Sequence, residues 1–274
     1  LLRRSQLFVP ANDERKLRKS ILLDADSVIL DLEDAVPLEE KSNTRATLAS
    51  LMKQLDWGKR EVCVRINKLG SDYSKEDLDF VKREEKVSSL VLPKTEEIPK
   101  DLQKKTGKIL LPLIETAMGV LRVEDIVRCE GVEAVSYGPA DLAYSVGGRT
   151  EAYSGSISVK TSIVVAASAY GVDAVDGVFF GLEDLDGFRK EAMQSRDLGF
   201  VGKHVIHPSQ ISVANDVYTP SKEEITSAKK LAEAYENAAK GKVGAIRMEG
   251  KLVDAVHYKR AKATLERAER ISSS

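Results

Sequence analysis

The chain has 274 residues, 42% hydrophobic and 31% charged, enough apolar material for a sizeable core in one large domain or two small ones. Its 42 basic and 43 acidic residues leave a formal charge of -1, which excludes a broad electrostatic attraction to nucleic acid, and an aromatic content of 5% argues against stacking platforms for bases. No apolar run approaches membrane-spanning length and no signal-peptide pattern stands at Leu1, so no membrane partner and a cytoplasmic location are expected.

Residues 5–10 (SQLFVP) read as a short buried strand stopped by proline. Asn12 is the expected cap of a helix over 15–23. A second strand over 27–32 (SVILDL) runs into Glu33 and Asp34, and a helix follows over 39–55 with Ala46, Leu48, Leu51, Met52 and Leu55 as its apolar stripe. The third strand, 61–67 (EVCVRIN), carries Arg65 and Asn67 at its end, and a short charged helix covers 75–85. The fourth strand, 88–93 (SSLVLP), ends at Lys94, and the next helix spans 96–105 with Pro99 in its first turn.

The fifth strand, 109–114, is the most apolar run, yet it closes on Glu115, with a helix over 117–129 behind it. The sixth strand, 132–137, leads into Gly138, Pro139, Ala140 and Asp141. A helix over 158–170, a seventh strand over 172–180, a helix over 183–198 and an eighth strand over 202–206 complete the series, which closes on His207 and Pro208. Beyond Pro220 the pattern changes. A long amphipathic helix over 221–239, capped by Ser221 with Glu224 three residues on, is broken at 240–244. An extended stretch over 245–254 turning at Gly250, and a last helix over 255–271, end the chain.

Eight strand-like runs, apolar on both faces and each followed by a helix or loop, predict a (β/α)8 TIM barrel over 1–220 with a C-terminal helical extension over 221–274, an appendage to the barrel and a candidate active-site flap over its own barrel or a neighbour's. An open doubly wound sheet lacks support, because no glycine-rich phosphate turn follows the first strand. In a barrel, Glu33, Asp34, Arg65, Asn67, Lys94, Glu115, Asp141 and His207 all fall on the rim at the C-terminal ends of the strands, where such folds place their chemistry.

Glu115 and Asp141, on adjacent strands, are the expected metal ligands; oxygen donors without a cysteine or histidine pattern suit Mg2+ better than zinc. Glu33 and Asp34 are read as groups beside that site, Asp34 equally as a loop hydrogen-bonding residue. Arg65, buried at a strand end, needs an anionic partner, either a substrate carboxylate or a structural one such as Glu33 or Glu115. Lys94 is either a balancing cation of the acidic rim or the Schiff-base lysine of a metal-free aldolase. Backbone N–H groups of the turn Gly138, Pro139 and Ala140 are candidate donors to a substrate carboxylate. The HPSQ turn at His207 reads as structural, His204 as a packed strand residue, and His257 as a surface or interface residue. Cys63 and Cys129 have no pairing pattern and read as small core residues.

Eight segments in chain order carry a family resemblance: RSQLFVPAN (4–12), VILDLEDAV (28–36), VRIN (64–67), LPK (92–94), LIET (113–116), GPADL (138–142), GKHVIHPSQI (202–211) and MEGKLVDAVH (248–257). Together they resemble the HpcH/HpaI aldolase and citrate lyase beta subunit-like superfamily, with its malyl-CoA and citramalyl-CoA lyases. The resemblance implies a Mg2+-dependent carbon–carbon lyase that cleaves or forms a (3S)-hydroxyacyl-CoA thioester, giving a 2-keto acid and an acetyl-CoA enolate. It implies that Glu115 and Asp141 hold the metal, that Arg65 holds the acid substrate and its developing oxyanion, and that Glu33 stands beside the metal. It places Asp254 on a segment that brings a catalytic aspartate to a neighbouring subunit, and Arg4 and the start of the following helix on the side that receives the coenzyme A nucleotide. A homotrimer or hexamer and acyl-CoA and keto-acid partners follow from the same resemblance. GPADL, with Ala140 where the lyases carry an acidic residue, is nearer to related metal-dependent aldolases on free hydroxy-keto acids, the alternative reading. A beta subunit acting only inside a larger lyase complex is the other.

Overall fold

In the computed structural model, residues 1–240, 244–248 and 250–273 are described. Gly241, Lys242, Val243 and Glu249, which belong to the expected break after the tail helix and to the expected extended stretch, lie outside the described residues.

The first half alternates β1 (Ser5–Pro10), α1 (Glu14–Ser20), β2 (Ser27–Asp31), α2 (Lys41–Gln54), β3 (Glu61–Arg65), α3 (Ser74–Arg83), β4 (Ser89–Leu92), α4 (Leu102–Thr106), β5 (Ile109–Ile114), α5 (Ala117–Leu121) and α6 (Val123–Val127). It continues with β6 (Ala134–Tyr137), α7 (Pro139–Ser145), α8 (Thr150–Ser154), α9 (Ile157–Ala169), β7 (Asp173–Asp176), α10 (Leu185–Leu198), β8 (Gly202–Val205) and α11 (Pro208–Val217). The eight strands pair in chain order, all parallel, and β8 returns to β1 through Ser5↔Lys203 and Leu7↔Val205. This is the expected (β/α)8 barrel. Strands such as β2 and β4 are buried at every residue, because each has the barrel interior on one face and helices on the other.

Residues two apart share a face. One set, Phe8, Ile29, Cys63, Val91, Leu111, Leu113, Ala134 and Val175, packs as a cluster of its own inside the barrel, so Cys63 is the core residue expected. The alternate set, including Leu7, Val28, Leu30, Val62, Val64 and Leu90, belongs to the larger core beneath the helices. At the end where the strands begin, buried Arg3 donates two 2.9 Å hydrogen bonds to Glu61 and pairs with Asp173 at 3.2 Å. This buried ion cluster occupies the floor of the barrel, at the end opposite the rim.

Four local expectations change, the first being that the seventh strand, expected over 172–180, ends at Asp176, just before Gly177. Asp13, not Asn12, caps α1: its carboxylate accepts the Lys16 N–H, while the Asn12 amide donates to Glu40. The helix expected over 96–105 shrinks to α4, since Leu102 N–H closes a turn on the Pro99 carbonyl and left-handed Gly107 ends it. The helix behind β5 breaks at Arg122, whose φ of -108° and ψ of 13° leave the helical region.

Arg3–Tyr218, with Leu1, forms one compact unit, and Thr219–Ser274, with Leu2, a second. The second unit holds α12 (Lys222–Lys240), an antiparallel pair of strands, β9 (Ile246–Met248) and β10 (Lys251–Val253), and α13 (Ala255–Ser272). The expected capping box of α12 forms: Ser221 N–H donates to Glu224, and Glu224 N–H donates to the Ser221 hydroxyl. Tyr235 and Tyr258 stack at 5.0 Å between α12 and α13. Among the described residues no helix is long and apolar enough to cross a membrane.

Candidate active site

On β2, β3 and β5 the face that fills the barrel interior continues into a charged group at the rim. Ile29 is followed two residues on by Asp31, Cys63 by Arg65, and Leu113 by Glu115. The β2–β3 register sets Asp31 directly opposite Arg65. The two join as a fork, Arg65 Nε donating to Asp31 Oδ1 at 2.7 Å and Nη2 to Oδ2 at 2.6 Å. Arg65 Nη1 lies 3.2 Å from Glu33 and 3.3 Å from Asp34, and the guanidinium sits 5.0 Å over the Phe8 ring. Burial opposes the charge of Arg65, but its hydrogen bonds to Asp31 and the nearby carboxylates outweigh burial and raise its pKa further. The arginine is fixed as a cation.

Glu115 is buried and accepts the Lys94 backbone N–H on Oε1 at 2.7 Å. Its other side lies against Gly138, where an added Cβ would stand 2.4 Å from Oε2 and 2.5 Å from the Glu115 Cβ; no larger residue fits there without displacing the carboxylate. Burial, and then the charge of Asp141, push the Glu115 carboxyl up to about 7. Asp141 stands in the first turn of α7, which begins with Pro139. Lys94 Nζ donates to Glu33 at 2.7 Å and lies 3.6 Å from Asp34 and 3.7 Å from Asp141. Five carboxylates, Asp31, Glu33, Asp34, Glu115 and Asp141, thus meet two cationic side chains, Arg65 and Lys94.

Among the described residues no group of three or more histidine, cysteine, aspartate or glutamate side chains is gathered as a ready metal cage. Mg2+ does not require one, because it keeps several waters and is held by one or two carboxylates. The donors are all oxygen. Glu115, buried beside a second carboxylate and short of positive charge, is the deficit a divalent cation fills. Glu115 and Asp141 therefore fit Mg2+.

Asp31, Asp34, Arg65, Glu115 and Asp141 line one cavity of about 820 Å³. Its walls include Phe8, Tyr137, Phe180, His204 and His207, and one side is formed by Arg15, Lys16 and Lys19 of α1. Gly138, Pro139 and Ala140 also line it. The Gly138 N–H donates to the Ile114 carbonyl and Pro139 has none, so of the three expected backbone donors only the Ala140 amide is left to a ligand.

Four other residues singled out in the sequence are fixed by their partners. Arg4 lies where β1 begins, at the end opposite the rim, with its guanidinium on Asp26 at 2.7 and 2.9 Å; the α1 cations line the cavity in its place. Lys94 has its pKa raised: burial opposes its charge, but Glu33 outweighs burial, so it is held as an ammonium and not as the neutral amine that a Schiff base needs. The Asn67 amide donates to Leu32 and Asp77 and braces the loop after β2. His207 does the structural work expected of it, capping α11 in a reciprocal pair with Gln210.

Asp31 went unread in the sequence although it is the principal partner of Arg65. Its signal was its phase: it falls two residues after Ile29 on a strand buried throughout. Lys41, which donates to the Leu32 and Glu33 carbonyls at 2.8 Å, gave no signal, because it sits in what reads as an exposed helix start.

The model of the HpcH/HpaI aldolase/citrate lyase family matches residues 4–208. The chain belongs to this family. A second model, for a carbon–carbon bond lyase of the TIM-barrel fold, matches 158–272. A (3S)-malyl-CoA thioesterase of Cereibacter sphaeroides is 34% identical, over 98% of this chain and 96% of that protein. The mitochondrial citramalyl-CoA lyase of Rattus norvegicus is 34% identical, over 94% of this chain and 84% of that protein. A crystal structure of CitE from Mycobacterium tuberculosis with magnesium, acetoacetate and coenzyme A is 29% identical, covers 97% of each chain and superposes with a TM-score of 0.81. As a member of the family, the chain is an enzyme, a carbon–carbon lyase of the citrate lyase beta subunit-like type.

Proposed function

We propose that the cavity cleaves or forms a (3S)-hydroxyacyl-CoA thioester, with a 2-keto acid and the enolate of acetyl-CoA as the two halves of the reaction. The observation that carries this reading is the placement of Glu115, Asp141 and Arg65 on one cavity whose side is formed by Arg15, Lys16 and Lys19. The first three suit the acid half; the α1 cations suit the phosphates of a coenzyme A nucleotide. Relatives named for malyl-CoA and citramalyl-CoA, and a CitE structure holding coenzyme A, support the same reading.

Mg2+ held by Glu115 and Asp141 would supply positive charge where the oxygen on carbon 2 of the acid becomes negative. The residues of the chain do the rest. Arg65 is aimed by Asp31, and its Nη1 arm, held by the longer contacts to Glu33 and Asp34, is the one that meets the acid. Asp34, with its side chain 56% exposed, is the contact a substrate carboxylate replaces. Asp254 caps α13 and hydrogen-bonds His257 Nδ1 at 2.7 Å, which holds its carboxyl below the usual range. It is therefore ionised near neutrality and suited to take a proton from the thioester methyl group in the condensation direction, and to return it in cleavage. By the family resemblance, it would act in the cavity of a neighbouring copy.

A homo-oligomer fits this reading, since Leu121, Tyr144, Ile157 and Val165 leave large apolar side chains exposed on α5, α7 and α9. A cytoplasmic location is kept as part of the proposal. The test is to supply malyl-CoA or citramalyl-CoA with Mg2+ and identify both products. A 2-keto acid with acetyl-CoA supports the reading. Intact hydroxy acid with free coenzyme A selects thioester hydrolysis, the activity in the name of the Cereibacter relatives. Cleavage of a free hydroxy-keto acid, with no turnover of either thioester, selects the aldolase.

A further inference from the structure

Lys94 is the one described residue other than glycine with a positive φ, at 48°. A left-handed backbone is strained for an L-residue with a long side chain, and such residues gather at functional sites where their surroundings enforce them. Here the enforcement is visible. The neighbouring Thr95 donates its backbone N–H to Leu113 at 3.2 Å and its hydroxyl to Leu92 at 2.7 Å. The Thr95 carbonyl packs so tightly on Gly119 that a Cβ there would stand 2.6 Å away. The turn after β4 is thus pinned to β5 and α5, and its one strained residue presents two groups to the acidic rim. The backbone N–H meets Glu115 and the ammonium meets Glu33, with Asp34 and Asp141 just beyond.

We propose that Lys94 is the positioning residue of the metal centre and its resident counter-ion: the backbone amide aims Glu115, while the ammonium shares Glu33 with Arg65 and sets how strongly the site attracts a divalent cation. The inference rests on the metal reading above and goes beyond it. The Lys94 ammonium faces Glu33, Asp34 and Asp141, so it acts through the carboxylates. Two consequences follow with opposite signs. A fixed positive charge beside Asp141 repels an incoming cation, so removing it strengthens Mg2+ binding. Glu33, released from the ammonium, turns wholly to Arg65 Nη1, so the acid substrate loses part of its arginine. A merely structural lysine would weaken both together.

The experiment is calorimetric titration of Mg2+ into the full chain at pH 8.5, where Glu115 is ionised, with steady-state kinetics in parallel. Lys94→Met keeps the side-chain length and the same backbone strain. It should bind Mg2+ about tenfold tighter while KM for the keto acid rises about tenfold and kcat changes less. Lys94→Arg, which restores the charge, should return Mg2+ affinity to within about twofold of wild type. If Lys94→Met does not fold, Lys94→Gly relieves the backbone strain and should show the same tighter Mg2+ binding. Wild-type Mg2+ binding with unchanged or weaker affinity in the Met and Gly variants overturns the proposal alone. No Mg2+ binding by the wild type at millimolar metal overturns the metal reading and the proposal with it.

Discussion

Asp31 and Arg65 stand opposite each other on adjacent parallel strands and share two nearly parallel hydrogen bonds of 2.7 and 2.6 Å. Backbone amides of Glu33 and Ala35 also donate to the Asp31 carboxylate, at 2.9 and 3.2 Å, so the aspartate is held from two sides before it holds the arginine. The arrangement orients Arg65 before any substrate arrives. Asp31→Asn keeps the shape and removes the charge. It should lower kcat/KM by roughly a hundredfold, near 3 kcal/mol, and cost about as much in unfolding free energy, the low end for a broken buried pair because Glu33 and Asp34 remain. Steady-state kinetics and urea unfolding measure the two. A variant within threefold of wild type in kcat/KM would make the fork dispensable.

The carboxyl of Glu115 gives the metal-free protein a signed pH dependence. Folded, it binds a proton near pH 7; unfolded, near its ordinary 4.5. The folded state holds the extra proton between those values, so this residue's contribution is fully present below about pH 4.5 and is lost as pH rises through 7. Glu115→Gln cannot ionise and lacks this slope. Between pH 5 and pH 8, wild type should lose roughly 2–3 kcal/mol relative to the Gln variant in urea unfolding with metal chelated. Parallel curves for the two proteins would place the Glu115 pKa back in the ordinary range.

The barrel was legible because its strands are buried on both faces, and a run such as 109–114 has no other reading in a chain of this composition. The rim was legible in part. Glu115 and Asp141 announce themselves as charges beside apolar runs, and both line the cavity. Asp31 did not, since it sits inside the apolar run and shows only through strand parity. Asp176 escaped for the opposite reason. It points outward beneath the helices, where it meets Lys203 at 2.6 Å, Lys160 at 3.0 Å and Ser195 at 2.7 Å, a closure that depends on three elements coming together in space. Arg4 misled because its motif was right and its end of the strand was wrong. A motif fixes neighbours in sequence; the strand's direction decides which end of the barrel they occupy.

Gly138 is predicted to be irreplaceable for a reason separate from turn geometry. Alanine there places a methyl against the Cβ and Oε2 of Glu115, inside any tolerable contact. The backbone of β6 is tied to β5 by Gly138 N–H to Ile114, so Glu115 is the partner that moves. Gly138→Ala should lose about 1–2 kcal/mol of stability and at least about tenfold in Mg2+ affinity by calorimetry. Metal affinity equal to wild type would show that Glu115 is not a principal ligand.

Asp254 allows a test of catalysis nearly free of folding effects. Its carboxylate accepts the backbone N–H groups of Val256 and His257 at 3.0 and 3.3 Å as the cap of α13. Asparagine is as good a cap as aspartate, so Asp254→Asn should leave α13 in place. It removes the base. Exchange of the acetyl-CoA methyl protons with solvent, followed by NMR in D2O with Mg2+ and keto acid present, should fall at least about a hundredfold. Mg2+ affinity, set by residues of the other compact unit, should stay within twofold. Asp254→Ala is the informative companion, since it loses the cap as well as the base. Equal exchange in wild type and the Asn variant would remove Asp254 from the proton transfer. Exchange lost only in the Ala variant would reduce its role to holding the end of α13.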